Sequence, residues 1–176
     1  MSTSRPAAPT PERRIRHATE ADVDALAALE SACFPPAEAV SRDSIAARVA
    51  AFPDCFWILE AETEDGTRPV ALVGGIPASA RDLTDEMFED VGLADPDGDW
   101  LMLLGVLTDP AHQHEGLASA TLRRALADWR SRGRAGAVLT CKEHLLGWYA
   151  SFGFVSEGVS ASDHGGATWY QMRLTF

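Results

Sequence analysis

The stretch Trp100-Leu101-Met102-Leu103-Leu104-Gly105-Val106-Leu107 is apolar almost throughout, and the polar segment Thr108-Asp109-Pro110-Ala111-His112-Gln113-His114-Glu115-Gly116-Leu117-Ala118 follows it. An apolar run of this kind is expected of a strand buried on both faces. Asp109-Pro110 ends the strand, and from roughly Ala118 to Arg132 the pattern is that of a long amphipathic helix, stopped by the segment Gly133 to Gly136. Strand, turn and helix in this order set the unpaired amides and partial positive charge of a helix start beside a strand end. That arrangement suits a phosphate. The small residues Gly116 and Ala118 let an anion approach the backbone.

Outward from this unit the chain alternates strands and helices. Arg14 to Ala18 reads as a first strand, and Thr19 caps a helix carrying Val23, Leu26, Ala27, Leu29 and Glu30 at helical spacing. Pro35-Pro36 breaks that helix, and a second is expected from about Ser41 to Ala51. Phe56 to Ala61 and Val70 to Ile76 form a hairpin across Glu64-Asp65-Gly66-Thr67. A short helix is expected over Thr84 to Asp90. Beyond the central unit come a strand at Ala137 to Thr140, a helix at Leu145 to Phe152, and strands at Phe154 to Glu157 and Trp169 to Leu174. The fold class is therefore α/β (α+β in some schemes), one mixed sheet of about seven strands flanked by about four helices.

The 176 residues suffice for one domain, expected over 13–176, behind a Ser/Thr/Pro/Ala-rich tail, 1–12, expected to be disordered. A formal net charge of −11 argues against nucleic acid or an anionic membrane as partner. The three cysteines, Cys33, Cys55 and Cys141, lie far apart with no metal-ligand spacing, which fits a reduced, cytoplasmic setting. No apolar run approaches the roughly 20 residues of a membrane span.

Gln113-x-x-Gly116-x-Ala118, after a buried strand and before a long helix, resembles the acyl-coenzyme A signature of the GNAT acetyltransferase superfamily. Tyr149-x-x-Phe152-Gly153-Phe154 resembles the second recurrent signature of that superfamily. Lys142-Glu143-His144-Leu145, Trp148-Tyr149, His164-Gly165-Gly166 and Trp169-Tyr170-x-Met172 resemble arylalkylamine N-acetyltransferases, especially microbial ones. Glu30-Ser31-Ala32-Cys33-Phe34-Pro35-Pro36-Ala37-Glu38-Ala39 resembles the substrate-side loop of the same group. The resemblance runs from Arg14 onward. It implies a sheet splayed between its fourth and fifth strands, with the pantetheine arm of acetyl-CoA in the gap and no metal.

On this resemblance Val106, Leu107, Thr108, Gln113, His114, Glu115, Gly116, Leu117, Ala118 and Ser119 hold the cofactor, and Tyr149 protonates the leaving thiolate. The amide of Leu107 or a neighbour polarises the carbonyl. An alkylamine has a pKa near 10.4, so its ammonium must also lose a proton. The animal enzymes use two histidines on the fourth strand for this step. By register from Gly116 those positions are Met102 and Leu104, which cannot take a proton and are expected to line an apolar pocket together with Phe34 and Pro35. His164 is then the candidate base, with delivery to bulk water as the alternative; His112 and His114 are expected at the solvent or the cofactor. His112-x-His114-Glu115 has no third ligand at a sensible spacing for a metal.

The expected reaction is direct attack of a small primary amine on acetyl-CoA in a ternary complex, by a monomer or homodimer. A polyamine, an aminoglycoside or a protein lysine would be alternative acceptors on the same fold. Such a polycation would require Asp95, Asp97, Asp99 or Asp163 at the cleft. A non-catalytic acyl-CoA sensor is the alternative of another class.

Overall fold

The computed structural model describes residues 12–176. Its strands are β1 (Arg13–His17), β2 (Phe56–Thr63), β3 (Gly66–Ala78), β4 (Trp100–Thr108), β5 (Gly136–Cys141), β6 (Val155–Val159) and β7 (Tyr170–Thr175). The helices among the described residues are α1 (Val23–Cys33), α2 (Arg42–Ala51), α3 (Leu117–Ser131) and α4 (Leu146–Ala150), with short 3-10 turns between elements. The strands form one seven-stranded sheet of order β1-β2-β3-β4-β5-β7-β6. Every neighbouring pair is antiparallel except β4–β5, which is parallel. The architecture is the mixed α/β one that the alternating pattern implies.

Two features of β4 shape the centre of the sheet. Against β3 its register shifts, with Gly105 facing Gly74 but Leu103 facing Gly75, so that Leu104 is the extra residue of a bulge. A bulge bends the strand and locally increases its twist. Against β5, pairing extends over only three rungs, the last being Met102 with Val138. Past that rung β4 and β5 part, and the β4 edge from 103 to 108 is left without a strand partner on that side. The sheet is splayed between its fourth and fifth strands.

The sheet is covered by helices whose apolar residues recur at helical spacing. On α3 these are Leu122, Ala125, Leu126 and Trp129, all buried in a cluster with Leu26 of α1, Val49 of α2, Trp57 of β2 and Leu101 of β4. The indole of Trp129 donates to the Gly136 carbonyl at 2.9 Å, so α3 is tied to the first residue of β5. A second cluster joins Ile76, Leu83, Met87, Met102, Leu104 and Val138.

Several boundaries differ from expectation, each for a local reason. α3 starts at Leu117 because Gly116 takes a left-handed conformation, φ 76°, at its N-cap. The expected helix at 145–152 is shorter, Leu146–Ala150, preceded by a 3-10 turn at 143–145. Gly153, at φ 100°, turns the chain away there. The expected helix at 84–90 is two 3-10 turns, Asp85–Phe88 and Val91–Leu93, the second capped where Asp90 accepts from Gly92 N. β6 begins at Val155, after the buried Phe154. The tail reading falls on residues 1–11, outside the described ones, and Glu12 leads into β1.

Gly136 stands where β5, β7 and Trp100 converge. A Cβ on it would lie 1.9 Å from the Leu174 carbonyl oxygen and 2.9 Å from the Trp100 ring. Gly136→Ala therefore forces β5 away from β7 and is expected to cost at least about 1–3 kcal/mol, as overpacking does, read as a lower midpoint in urea unfolding with unchanged slope.

Candidate active site

The turn between β4 and α3 is built by its own side chains. Asp109 accepts from Ala111 N at 2.8 Å, receives the Arg68 guanidinium at 2.8 Å, and its amide donates to Val70 O at 2.8 Å. Gln113, His114, Glu115 and Gly116 are exposed, with His114 at φ 65°. Glu115 is drawn off the turn by Arg13 of β1 and by His112 Nδ1 at 3.4 Å. No side chain caps the first amides of α3, because the N-cap is a glycine, and a Cβ on Gly116 would stand in open space. These amides, a 15-residue helix behind them and the bare β4 edge fit a phosphate-bearing, amide-containing ligand.

Where β4 and β5 part there is a cavity of about 140 Å³. Its floor comes from Leu103, Leu104, Gly105 and Val106 of β4 and from Leu139, Thr140 and Cys141 of β5. Phe34, Phe88 and Trp169 give it aromatic walls. Glu30, Glu38, Cys141, Tyr149 and His164 are the ionisable groups on its lining.

Tyr149 on α4 is only 6% exposed, wedged edge-on between Trp148 (4.8 Å) and Phe154 (5.9 Å). Burial pushes its phenol above the ordinary tyrosine range, so it is protonated throughout the neutral range. Among the described residues nothing accepts or donates a hydrogen bond at its hydroxyl.

His164 Nε2 lies 2.9 Å from the Glu38 carbonyl oxygen. A carbonyl can only accept, so Nε2 carries the hydrogen and neutral His164 has its lone pair on Nδ1. The ring stacks on Phe88 at 5.6 Å and 12°. Glu38 is itself buried and holds Lys142 Nζ at 2.8 and 3.0 Å. Lys142 in turn lies over the Trp169 ring, so the 34–40 and 160–169 loops close the cavity together.

Glu30 was not singled out by the sequence reading as a chemical group. It is 6% exposed on α1, and its Oε1 accepts from Val40 N at 3.0 Å. Burial raises its carboxyl above the ordinary range, opposed by the Val40 hydrogen bond and the charges of Arg48 and His164. Arg48 on α2, 4% exposed, is pulled down to about 10 by burial and donates to the Phe88 carbonyl. The signal for Glu30 was present: a carboxylate stands on the apolar stripe of α1 beside Leu26 and Leu29. Glu38 stood out only as part of the segment resembling a substrate-side loop, and Phe88 had no signal, because only the packing of loops brings it in.

Other expected site residues fall in different places. Phe34, Leu104, Val106, Tyr149 and His164 line the cavity. Met102 does not: it is 0% exposed, at the last rung where β4 and β5 are still paired, so its side chain is sealed below the gap. Pro35 does not either; it is exposed, and its carbonyl accepts from Glu38 N and Ala39 N in a turn. Leu107 is buried in the main core, and the Thr108 carbonyl receives the Cys33 thiol at 3.2 Å. Leu117 is buried under the turn, while Ala118 and Ser119 are half-buried on the first turn of α3. Asp95, Asp97, Asp99 and Asp163 do not line the cavity. No group of three or more potential metal ligands occurs among the described residues, and no helix there is long and apolar enough to cross a membrane.

The family model described as acetyltransferase (GNAT) family matches residues 23–154. The chain belongs to that family, and the enzyme class is acyltransferase. Among solved structures, the GphF GNAT-like decarboxylase in complex with isobutyryl-CoA is 26% identical, with 92% of this chain and 98% of that chain covered and a TM-score of 0.75. The loading GNATL domain of CurA from Lyngbya majuscula is 19% identical, with 93% and 98% covered and a TM-score of 0.78. A GNAT family acetyltransferase from Brucella melitensis in complex with acetyl-CoA is 22% identical, with 94% and 88% covered and a TM-score of 0.58. No curated protein matches the chain.

Gly116 has the left-handed backbone but no steric neighbour. Gly116→Ala is therefore expected to cost about 1–2 kcal/mol through strain alone, and thermal melts should show the loss without any change in the near-ultraviolet signature of the core.

Proposed function

We propose that the chain transfers an acetyl group from acetyl-CoA to a small primary amine with an apolar, arylalkylamine-type body, by direct attack in a ternary complex. The observation that carries this reading is the cavity itself. It opens on the bare β4 edge, has aromatic walls, and places a buried carboxylate and a buried phenol on its lining. Acetyl-CoA would supply the thioester. The amides that open α3 would hold its pyrophosphate, and cleft-facing amides of β4 would hold its pantetheine arm and polarise the carbonyl.

Glu30 is the proton acceptor. An ammonium brought beside a desolvated carboxylate loses much of its preference for the charged form, since a neutral amine and a neutral acid suit low dielectric better than two ions. His164 presents Nδ1 as a second acceptor and, stacked on Phe88, helps hold the acceptor side in shape. Tyr149 gives its proton to the departing thiolate. Burial keeps the phenol protonated through the neutral range, so the proton is there to give.

The GphF and CurA neighbours are named as a GNAT-like decarboxylase and a loading domain, which makes decarboxylation of a carboxylated acyl-CoA the second reading. Charge argues against it here. The cavity lining carries Glu30 and Glu38 but neither lysine nor arginine, so a third carboxylate would enter unpaired. A polycationic acceptor is equally ill-served, with no exposed acidic wall in the cavity. We place the reaction in the cytoplasm, in a single domain over 13–176.

Purified protein with acetyl-CoA should release free thiol fastest with phenylethylamine or tryptamine, and slowly or not at all with spermidine, an aminoglycoside or a lysine peptide. Carbon dioxide release from malonyl-CoA without amine turnover would reverse the choice of reaction. Tyr149→Phe should keep the affinity for acetyl-CoA and lower kcat by about 10²–10⁴, the range of general acid catalysis. Wild-type turnover in that variant would remove Tyr149 from the chemistry. For Glu30 the profile of kcat/KM against pH is diagnostic. Its carboxyl is raised, so activity should fall as pH drops through a value above the usual carboxylate range of about 4.3. Glu30→Gln should abolish that limb and lower the plateau, whereas an unshifted limb in the variant would assign it elsewhere.

A further inference from the structure

Glycines in the sheet mostly have a steric reason. A Cβ on Gly75 would lie 2.4 Å from the Met102 carbonyl oxygen, and one on Gly136 would strike β7. Gly105 has no such reason. It lies just past the bulge residue of β4, half-buried, and lines the cavity between Leu104 and Val106. Its φ lies outside the left-handed region, and a Cβ on it would touch only Leu107 Cγ, at 4.0 Å. Neither backbone nor packing demands glycine, so what the absent side chain provides is room on the cavity wall.

That room adjoins the edge along which a thioester would lie. Across the gap stand Leu139 and Cys141, whose thiol burial pushes up to about 11, so that it stays a neutral, apolar neighbour. The cavity, about 140 Å³, would be shared by the acyl group and the body of the amine. An acetyl group contributes a single methyl beyond its carbonyl, whereas an isobutyryl group carries two methyls on its branching carbon, which the open space beside Gly105 would take.

We propose, on the reading that the chain uses acyl-coenzyme A, that Gly105 sets the size limit of the acyl group and that the protein accepts short branched acyl thioesters, such as isobutyryl-CoA, beside acetyl-CoA. A methyl or isopropyl group projecting from position 105 would fill the space that the branch needs.

The test compares acetyl-CoA, propionyl-CoA and isobutyryl-CoA by calorimetric titration without amine, then by thiol release with phenylethylamine, for wild type, Gly105→Ala and Gly105→Val. Wild type should bind all three within about threefold of one another. Gly105→Val should weaken isobutyryl-CoA by about 10–200-fold more than it weakens acetyl-CoA, the range for one misfitted methylene. Gly105→Ala should fall between them and controls for any loss of fold in the larger variant. Strong wild-type rejection of isobutyryl-CoA would overturn the proposal. Equal loss of all three thioesters in both variants would overturn it too, because glycine would then serve close approach of the thioester itself. If the thioesters bind but no amine is acylated, the amine reading fails and the titrations still decide the role of Gly105. If no thioester binds, both fall.

Discussion

The structure turns on the parting of β4 from β5 after three shared rungs. A parallel pair inside a sheet would ordinarily be sealed on both faces and bonded along its length. Here the pairing stops at Met102 and Val138, and the bulge at Leu104 bends β4 out of register. Backbone groups that a sheet would satisfy internally are left facing a cleft. A ligand with amide groups of its own can complete that edge, and the amides that open α3 stand at its far end for a phosphate. The core keeps the gap from closing: Trp129 pins α3 to Gly136, and Gly136 is held against β7.

Electrostatics on the acceptor side follow from burial. Glu30 and Arg48 are two opposite charges withdrawn from water with no direct ion pair of the kind that Glu38 and Lys142 make. Leaving a carboxylate so poorly solvated works against stability and raises its carboxyl above the ordinary range, as the proposed role of proton acceptor requires. Arg48 spends its hydrogen bond on the Phe88 carbonyl, and Phe88 stacks on His164, so the same buried charge that tempers Glu30 also holds an aromatic wall. In the proposed reaction, proton transfer and the shape of the pocket would rest on overlapping residues.

Much of this could be read from residue order. The apolar run at 100–107, the turn with Gly116 and the stripe on α3 are local patterns, and local patterns report strands, turns and helices reliably. The splay was legible only through resemblance, since nothing in the composition of β4 says where its pairing ends. The bulge explains the mixed outcome at Met102 and Leu104: both sit in one apolar cluster, yet only Leu104 reaches the cavity. Pro35 was expected on the pocket wall through the resemblance of the 30–39 segment to a substrate-side loop, whereas it shapes a turn. Glu30 was visible as a carboxylate on an apolar stripe, but only its burial in the fold marks it as a chemical group beside His164. Phe88 and Glu38 reach the site through long-range loop packing, which no spacing in the sequence encodes.

The most direct test of the central claim is hydrogen exchange followed residue by residue with and without acetyl-CoA. The account predicts that saturating ligand slows exchange at amides of 103–108 on the unpaired β4 edge and of 116–119 at the start of α3, with little change in β1, β2 and β3. Unchanged exchange along the β4 edge, or protection confined to another surface, would contradict the claim that the parting of β4 and β5 is where the acyl donor binds.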